Sequence, residues 1–430
     1  MRYASTRGSA PDVDAASALR AGVAPDGGLY MPQTLPAFSA ADFTDTPGLA
    51  PLAARLLAPF FADSVIGPAL PGICADAFDF ACPRVRLGEA DDAPDILELF
   101  HGPTGAFKDF GARFLFRAFA ALGQSTDGPA TVLVATSGDT GGAVGCAAEG
   151  VTGTRAVILF PAGRISAFQE HQLCCWDAPV EAVRVSGDFD ACQSLVKSAF
   201  ANEALSRAHN LTSANSISIG RFLPQMTYWA RAALDACAET GIAPGLIIPT
   251  GNLGNAFAAV LARACGLPIG PVVLATNANA TLSDWFASGQ YSGRASIATL
   301  ANAMDVGAPS NFERLAGLPD GQIAGVVRVD DAAIRNRIRA SFDETGYIAC
   351  PHTATGLEAW HRLDNDARAE RRWIIGATAH PAKFADTVEP VIGKSVPLPP
   401  ALQAVLERPV RCRDIEADLA DLSHILATRG

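Results

Sequence analysis

From Thr131 onward the chain repeats one rhythm: a short β-branched apolar run, a turn rich in Gly, Asn, Asp or Ser, then an Ala-rich stretch at helical spacing. Residues 131–135 lead through Thr136-Ser137-Gly138-Asp139-Thr140-Gly141 into a helix expected over 142–149. Residues 155–160 and 180–185 read as the next strands, and 189–204 places Phe189, Cys192, Leu195, Val196 and Phe200 on one helical face. Residues 246–249 run into Thr250-Gly251-Asn252-Leu253-Gly254-Asn255 and a helix over 256–265, with further strands at 271–275 and 373–377. Apolar strands without alternation, each followed by a helix, are those of parallel sheets covered on both faces. Such sheets place ligands where strand ends meet helix starts. The turns at 136–141 and 250–255 are therefore the first places to look for a site.

A chain of 430 residues exceeds one small core, and two or three lobes are expected. The sequence divides into an N-terminal lobe over 1–92, rich in Pro, Ala and Leu and expected to be mostly helical. A large α/β domain follows over 93–126 and 210–395, interrupted by a small α/β domain over 127–209. Residues 396–430, after the Pro-rich Val396-Pro397-Leu398-Pro399-Pro400, read as a helical tail.

A net charge of −11 without a Lys/Arg run argues against nucleic acid as a partner. An anionic ligand must then be held by a local device, such as a helix N-terminus or a few converging arginines. The ten cysteines form no Cys-x-x-Cys pair and the seven histidines no His-x-x-x-His spacing, so no metal site is expected. The N-terminus lacks the apolar centre of a signal peptide, and no apolar stretch reaches the roughly 18 residues of a membrane span. The expectation is a cytoplasmic enzyme without membrane contact, working on a small molecule as a monomer or homodimer.

Three segments carry chemistry. In His101-Gly102-Pro103-Thr104-Gly105-Ala106-Phe107-Lys108-Asp109-Phe110, a turn precedes a helix that begins near Lys108. A lysine at a helix start faces the positive end of the dipole, and enclosure by Phe107 and Phe110 would desolvate it. Both effects favour the neutral amine that serves as nucleophile and base. A solvated helix lysine is the other reading of the same residue. In the turn at 250–255, two glycines let the backbone approach a ligand, and successive N–H groups form an anion cradle. It matches neither the Gly-x-Gly-x-x-Gly fingerprint nor a P-loop, so an ordinary strand–helix turn stays open. The turn at 136–141 is denser in hydroxyls and suits a carboxylate or phosphate, a role compatible with capping its helix.

His101 to Phe110 resembles the lysine motif of the threonine synthases, enzymes of the fold-type II pyridoxal-phosphate (PLP) group. The resemblance extends along nearly the whole chain. It is carried by Ser5-Thr6-Arg7-Gly8, Leu29-Tyr30-Met31-Pro32, the turn at 136–141, Phe189-Asp190-Ala191-Cys192-Gln193 and Asn215-Ser216-Ile217. Further stretches are Asn302-Ala303-Met304-Asp305-Val306, Pro309-Ser310-Asn311-Phe312-Glu313-Arg314, Pro351-His352-Thr353-Ala354 and Thr378-Ala379-His380-Pro381-Ala382-Lys383-Phe384. Ser218 and Cys350 depart from the pattern, which leads one to expect asparagine and an acidic residue there.

The resemblance implies a tryptophan synthase β-like α/β fold with two parallel-sheet lobes and an extra N-terminal lobe. It implies conversion of O-phospho-L-homoserine and water to L-threonine and phosphate, with PLP held by Lys108 as a Schiff base. Lys108 would then shuttle protons among the substrate carbons and the cofactor. Gly251, Asn252, Leu253, Gly254 and Asn255 match the cofactor-phosphate loop, and Thr378 the residue facing the pyridine nitrogen. Thr136, Ser137, Asp139 and Thr140 fall in the loop expected to bind the substrate carboxylate. Asn215 is expected to hydrogen-bond the cofactor 3′ oxygen or the substrate. Arg113 and Arg164 are the candidates for the departing phosphate, with Arg221 and Lys383 behind them. His101, His352 and His380 lie in matching motifs and serve equally as loop-shaping residues. A related phospholyase releasing 2-oxobutyrate is the alternative with the same chemistry. A nicotinamide-dependent oxidoreductase would require the dinucleotide fingerprint with an acidic residue about 20 positions on, which is absent.

Overall fold

A computed structural model describes residues 1–123, 128–136, 138–163 and 165–428. Ser137 and Arg164 lie outside the described residues, as does the expected domain boundary at 126/127. Among the described residues there are three sheets. The larger α/β sheet runs in the order Gly325–Arg328, Val272–Thr276, Gly245–Pro249, Trp373–Ala377, Asp95–Glu98, Arg84–Arg86. Its first five strands are parallel and only Arg84–Arg86 is antiparallel. Gly245–Pro249, Val272–Thr276 and Trp373–Ala377 are buried at every residue, the physical reason their sequences are continuously apolar. The second sheet runs Arg413–Ile415, Val180–Val185, Thr154–Pro161, Ala130–Ala135, Leu211–Thr212, all parallel.

Two segments differ from the sequence expectation. The N-terminal lobe opens on a three-stranded antiparallel sheet of Arg2–Ser5, Val13–Asp14 and Tyr30–Pro32, ahead of the expected helices Leu49–Phe61 and Ile66–Ala77. The tail is not purely helical: Arg413–Ile415 adds an edge strand to the smaller sheet before the helix Leu419–Ala427. Both strand sets are only two to four residues long, too short for a periodicity to mark them. No helix of the described residues is long and apolar enough to cross a membrane.

The fold brings three chain segments to one edge. Gly245–Pro249, Trp373–Ala377 and Asp95–Glu98 are neighbours and parallel, so the residues that follow them leave the sheet side by side. Those residues are the glycine-rich turn, Thr378, and the loop that ends at Lys108. In the smaller sheet Ala130–Ala135 delivers Thr136 in the same way.

Candidate active site

Lys108 is the first residue of the helix Lys108–Leu122. The loop before it is pinned to the Thr378 segment by three backbone hydrogen bonds: Leu99 N–H to Ala377 O (2.9 Å), Phe107 N–H to Thr378 O (2.9 Å) and His380 N–H to Gly105 O (2.9 Å). Inside the loop, Asp109 accepts from Thr104 N–H (2.9 Å) and Thr104 Oγ1 (2.7 Å), and burial raises its carboxyl to about 6. Lysine and Thr378 are thereby held in one frame.

The Lys108 side chain is 16% exposed, and its Nζ lies 4.0 Å from Asp139 Oδ2 and 5.6 Å from the Phe107 ring centroid. Its pKa falls below the ordinary lysine value. Burial is the main cause, Asp139 opposes it, and the cations Lys383 and Arg221 add to it. Among the described residues, the aromatic ring that Lys108 Nζ overlies is that of Phe107. Phe110, two positions on and so on another helix face, packs against Phe80 (4.7 Å), Tyr228 (5.0 Å) and Phe78 (5.9 Å).

Asp139 begins the helix Asp139–Ala148 and is buried. Its Oδ1 lies 3.0 Å from Lys383 Nζ, a fully buried ammonium that also donates to Thr104 O (2.7 Å) and Gln172 Oε1 (2.7 Å). Burial pushes the Asp139 carboxyl up, and Lys383 and Lys108 together more than reverse that, leaving it well below the usual carboxylate range. Asp139 is therefore an ionised counter-ion to two lysines. It does not suit a substrate carboxylate, which it would repel; the amides of Gly138 and Thr140 at the helix start are the groups there that do. The Thr136 hydroxyl accepts from Gly138 N–H (3.1 Å) and Gly141 N–H (3.1 Å), so it shapes that start. Ion-paired with Asp139 and donating to Thr104 O and Gln172 Oε1, Lys383 is a tie between chain segments and leaves the set of phosphate candidates.

In the glycine-rich turn, a Cβ on Gly251 would come within 2.7 Å of Met304 Cα, so only glycine fits. Leu253, buried, holds φ +63°, a conformation costly for a non-glycine residue. The helix Gly254–Ala264 starts immediately after. Asn255 Oδ1 accepts from Tyr228 OH (2.7 Å) and Trp229 Nε1 (2.8 Å), which fixes the amide and leaves Nδ2 buried without a partner among the described residues. Close backbone approach, a helix start and an orphaned buried donor fit an anion such as the cofactor phosphate. Gly251→Ala is expected to weaken PLP binding by about tenfold or more while leaving the sheet intact, read by equilibrium titration of the apoenzyme.

The remaining candidates separate. Arg113 points away from this edge: it donates to Ala77 O (3.1 Å) and Asp79 Oδ1 (2.7 Å) and to Asp76 O, at the end of the helix Ile66–Ala77. Five positions beyond Lys108 it faces another side of the helix, and it leaves the phosphate set. Arg221 is buried beside Gly111, with its Nε unpartnered among the described residues and its pKa lowered by burial to about 10. Asn215 is partly buried, its N–H bonded to Ser213 Oγ (3.2 Å). His352 Nε2 accepts from Ala303 N–H (3.1 Å), steadying the Asn302–Met304 turn that walls Gly251; burial lowers its pKa to about 4. His380 Nδ1 accepts from Ala382 N–H (3.2 Å), and His101 pairs with Glu98 (2.7 Å), so all three histidines shape loops. Cys350 Sγ accepts from Thr353 N–H (3.4 Å), taking the capping role of the acidic residue expected there. Gln172 carried no sequence signal, and Thr104 and Asn311 stood out only as members of longer motifs, because their ties to Lys383, Gln172 and Asn252 reach across the chain.

A family model described as "Pyridoxal-phosphate dependent enzyme" matches residues 97–378. Models described as "Threonine synthase N terminus" and "Threonine synthase, C-terminal" match residues 2–78 and 353–426. The chain is 38% identical to threonine synthase of Escherichia coli K12 over 421 residues, 96% of each chain. Its similarity to the Serratia marcescens enzyme is 37% over 421 residues, again 96% of each. Among solved structures, PLP-bound threonine synthase from Brucella melitensis superposes with a TM-score of 0.91 at 33% identity, covering 99% of this chain and 98% of that one.

Proposed function

The chain belongs to the threonine synthase family of PLP-dependent enzymes, and from that premise we propose that it converts O-phospho-L-homoserine and water to L-threonine and phosphate. The observation that carries the reading is a partly buried lysine, an anion cradle and a neutral hydroxyl on the segments that leave three neighbouring strands of the larger sheet, with the lysine's counter-ion supplied from the smaller one. When bound, PLP supplies an electron sink for negative charge on the substrate carbons.

Lys108 would hold the cofactor through Nζ, and the same nitrogen, when free, would hold and move protons. Asp139, 4.0 Å away, stabilises the ammonium form, and burial stabilises the amine, so Nζ can cycle between the two. Lys383 keeps Asp139 paired whichever form Lys108 takes. The turn of Gly251, Asn252, Leu253, Gly254 and Asn255 holds the cofactor phosphate. Thr378, buried at the end of its strand, would face the pyridine nitrogen with a neutral hydroxyl in place of a carboxylate. Amides at the start of Asp139–Ala148 take the substrate carboxylate. Arg221 is the buried cation that faces the departing phosphate, and Arg164 and Ser137 remain candidates outside the described residues.

Incubating the holoenzyme with O-phospho-L-homoserine is expected to yield threonine and phosphate in equal amounts. Phosphate with 2-oxobutyrate in place of threonine would instead make the chain a phospholyase, and release of neither would refute the substrate.

A further inference from the structure

Buried guanidinium groups ordinarily face a carboxylate, because an unpaired charge away from water is costly. Arg314 is 1% exposed, yet its hydrogen bonds go to neutral oxygens: Asn311 Oδ1 (2.6 Å), Ile217 O (2.5 Å) and Tyr30 O (3.0 Å). Its guanidinium lies 4.2 Å from the Phe222 ring centroid, and its Nε has no hydrogen-bond partner among the described residues. The neighbouring Glu313 turns instead to Arg7 and Thr6 at the surface.

The first partner leads to the glycine-rich turn. Arg314 can only donate, so it fixes Asn311 with Oδ1 toward the guanidinium and Nδ2 on the other side. Nδ2 donates to Asn252 O (2.9 Å). Asn252 is held further by its own side chain, which donates to Ser216 Oγ (2.6 Å) and accepts from Ser310 N–H (2.5 Å). In a trans peptide the C=O and the following N–H point in opposite directions. Drawing Asn252 O toward Asn311 therefore turns the Leu253 N–H the other way, away from Asn311 and free to serve a ligand of the turn. Leu253 itself sits at φ +63°, so this peptide orientation needs an external hold.

We propose that Arg314 is the positioning residue and buried counter-charge of the glycine-rich turn, acting on a bound phosphate through Asn311 and the Asn252–Leu253 peptide. The proposal rests on reading that turn as the cofactor-phosphate site. Glu313 acts on Arg314 only through space and no carboxylate accepts its hydrogen bonds among the described residues, so a bound dianion adds negative charge there, and the guanidinium polarises the relay so that the Leu253 N–H becomes a stronger donor. Through Tyr30 O and Ile217 O, the same side chain ties the N-terminal sheet and the segment after Asn215 to the turn.

The test compares full-length wild type with Arg314→Gln, Arg314→Lys, Asn311→Ala and the double variant Arg314→Gln/Asn311→Ala. Apoenzyme is titrated with PLP, and the ³¹P resonance of the bound cofactor phosphate is followed against pH. Arg314→Gln is expected to weaken PLP affinity roughly ten- to hundredfold and to move the phosphate titration toward that of free PLP. Arg314→Lys, which keeps charge but loses the fork, falls between. Asn311→Ala should reproduce the loss, and the double variant should add little to either. Unchanged affinity and ³¹P titration in folded Arg314→Gln, or additive effects in the double variant, would overturn the proposal. Should Arg314→Gln not fold, Asn311→Ala decides alone: a wild-type ³¹P titration in it refutes the relay. Gly251→Ala separates the two readings, since wild-type PLP affinity in that variant would refute the phosphate site itself.

Discussion

Lys108→Ala is expected to remain folded, to lose the visible absorbance of the bound cofactor, and to turn over at least about 10³-fold more slowly than wild type. The expectation of an intact fold comes from the geometry. Asp139, the nearest ion-pair partner of Lys108 Nζ, is at 4.0 Å, and that carboxylate keeps Lys383 at 3.0 Å when Lys108 is removed. Truncation therefore leaves no unpaired buried charge. Thermal melting and absorbance spectra on the same sample check both halves. A variant that keeps the absorbance band would show that another amine holds the cofactor.

Lys383→Met is expected to do the opposite, striking stability first. It removes the close partner of Asp139 and the donor to Thr104 O and Gln172 Oε1. Breaking a buried pair by deleting one member typically costs about 3–5 kcal/mol. The pH dependence has a definite sign. In the wild type, burial raises the Asp139 carboxyl but Lys383 and Lys108 hold it lower still than in the unfolded chain. That stabilisation is present above the unfolded carboxylate value of about 3.9 and is lost as pH falls through the depressed native value. Without Lys383, burial prevails and the carboxyl rises, so the variant protonates Asp139 on mild acidification while the wild type does not. The stability deficit should be largest near neutrality and shrink toward pH 4. Denaturant unfolding at the two pH values measures it, and Asp139→Asn/Lys383→Met should recover part of the loss. A deficit independent of pH would mean that packing, not the charge pair, sets the cost.

Much of the scaffold was legible because buried parallel strands must be apolar throughout. Trp373–Ala377 and Gly245–Pro249 announce themselves in that way, and so do the turns after them. Arg84–Arg86 and Arg413–Ile415 do not, since short edge strands with exposed side chains carry no hydrophobic pattern, and the second joins its sheet through a partner far back in the chain. The site divides similarly. The Lys108 motif and the glycine-rich turn are each an unbroken run of residues, so local physics and family likeness both reach them. Arg113 drew attention by its closeness to Lys108 along the chain, and the helix turned it toward Asp79. Lys383 and Arg314 owe their roles to acceptors from segments far apart in the chain, an arrangement that no spacing rule encodes.

The most direct measurement is to load the protein with PLP, reduce it with borohydride, digest it, and map the modified peptide by mass spectrometry. Both Lys108 and Lys383 are enclosed near Asp139, and only one should carry the group. The expected result is a single pyridoxyl adduct on Lys108. An adduct on Lys383, or none on Lys108, would contradict the assignment of the anchor and with it the proposed site.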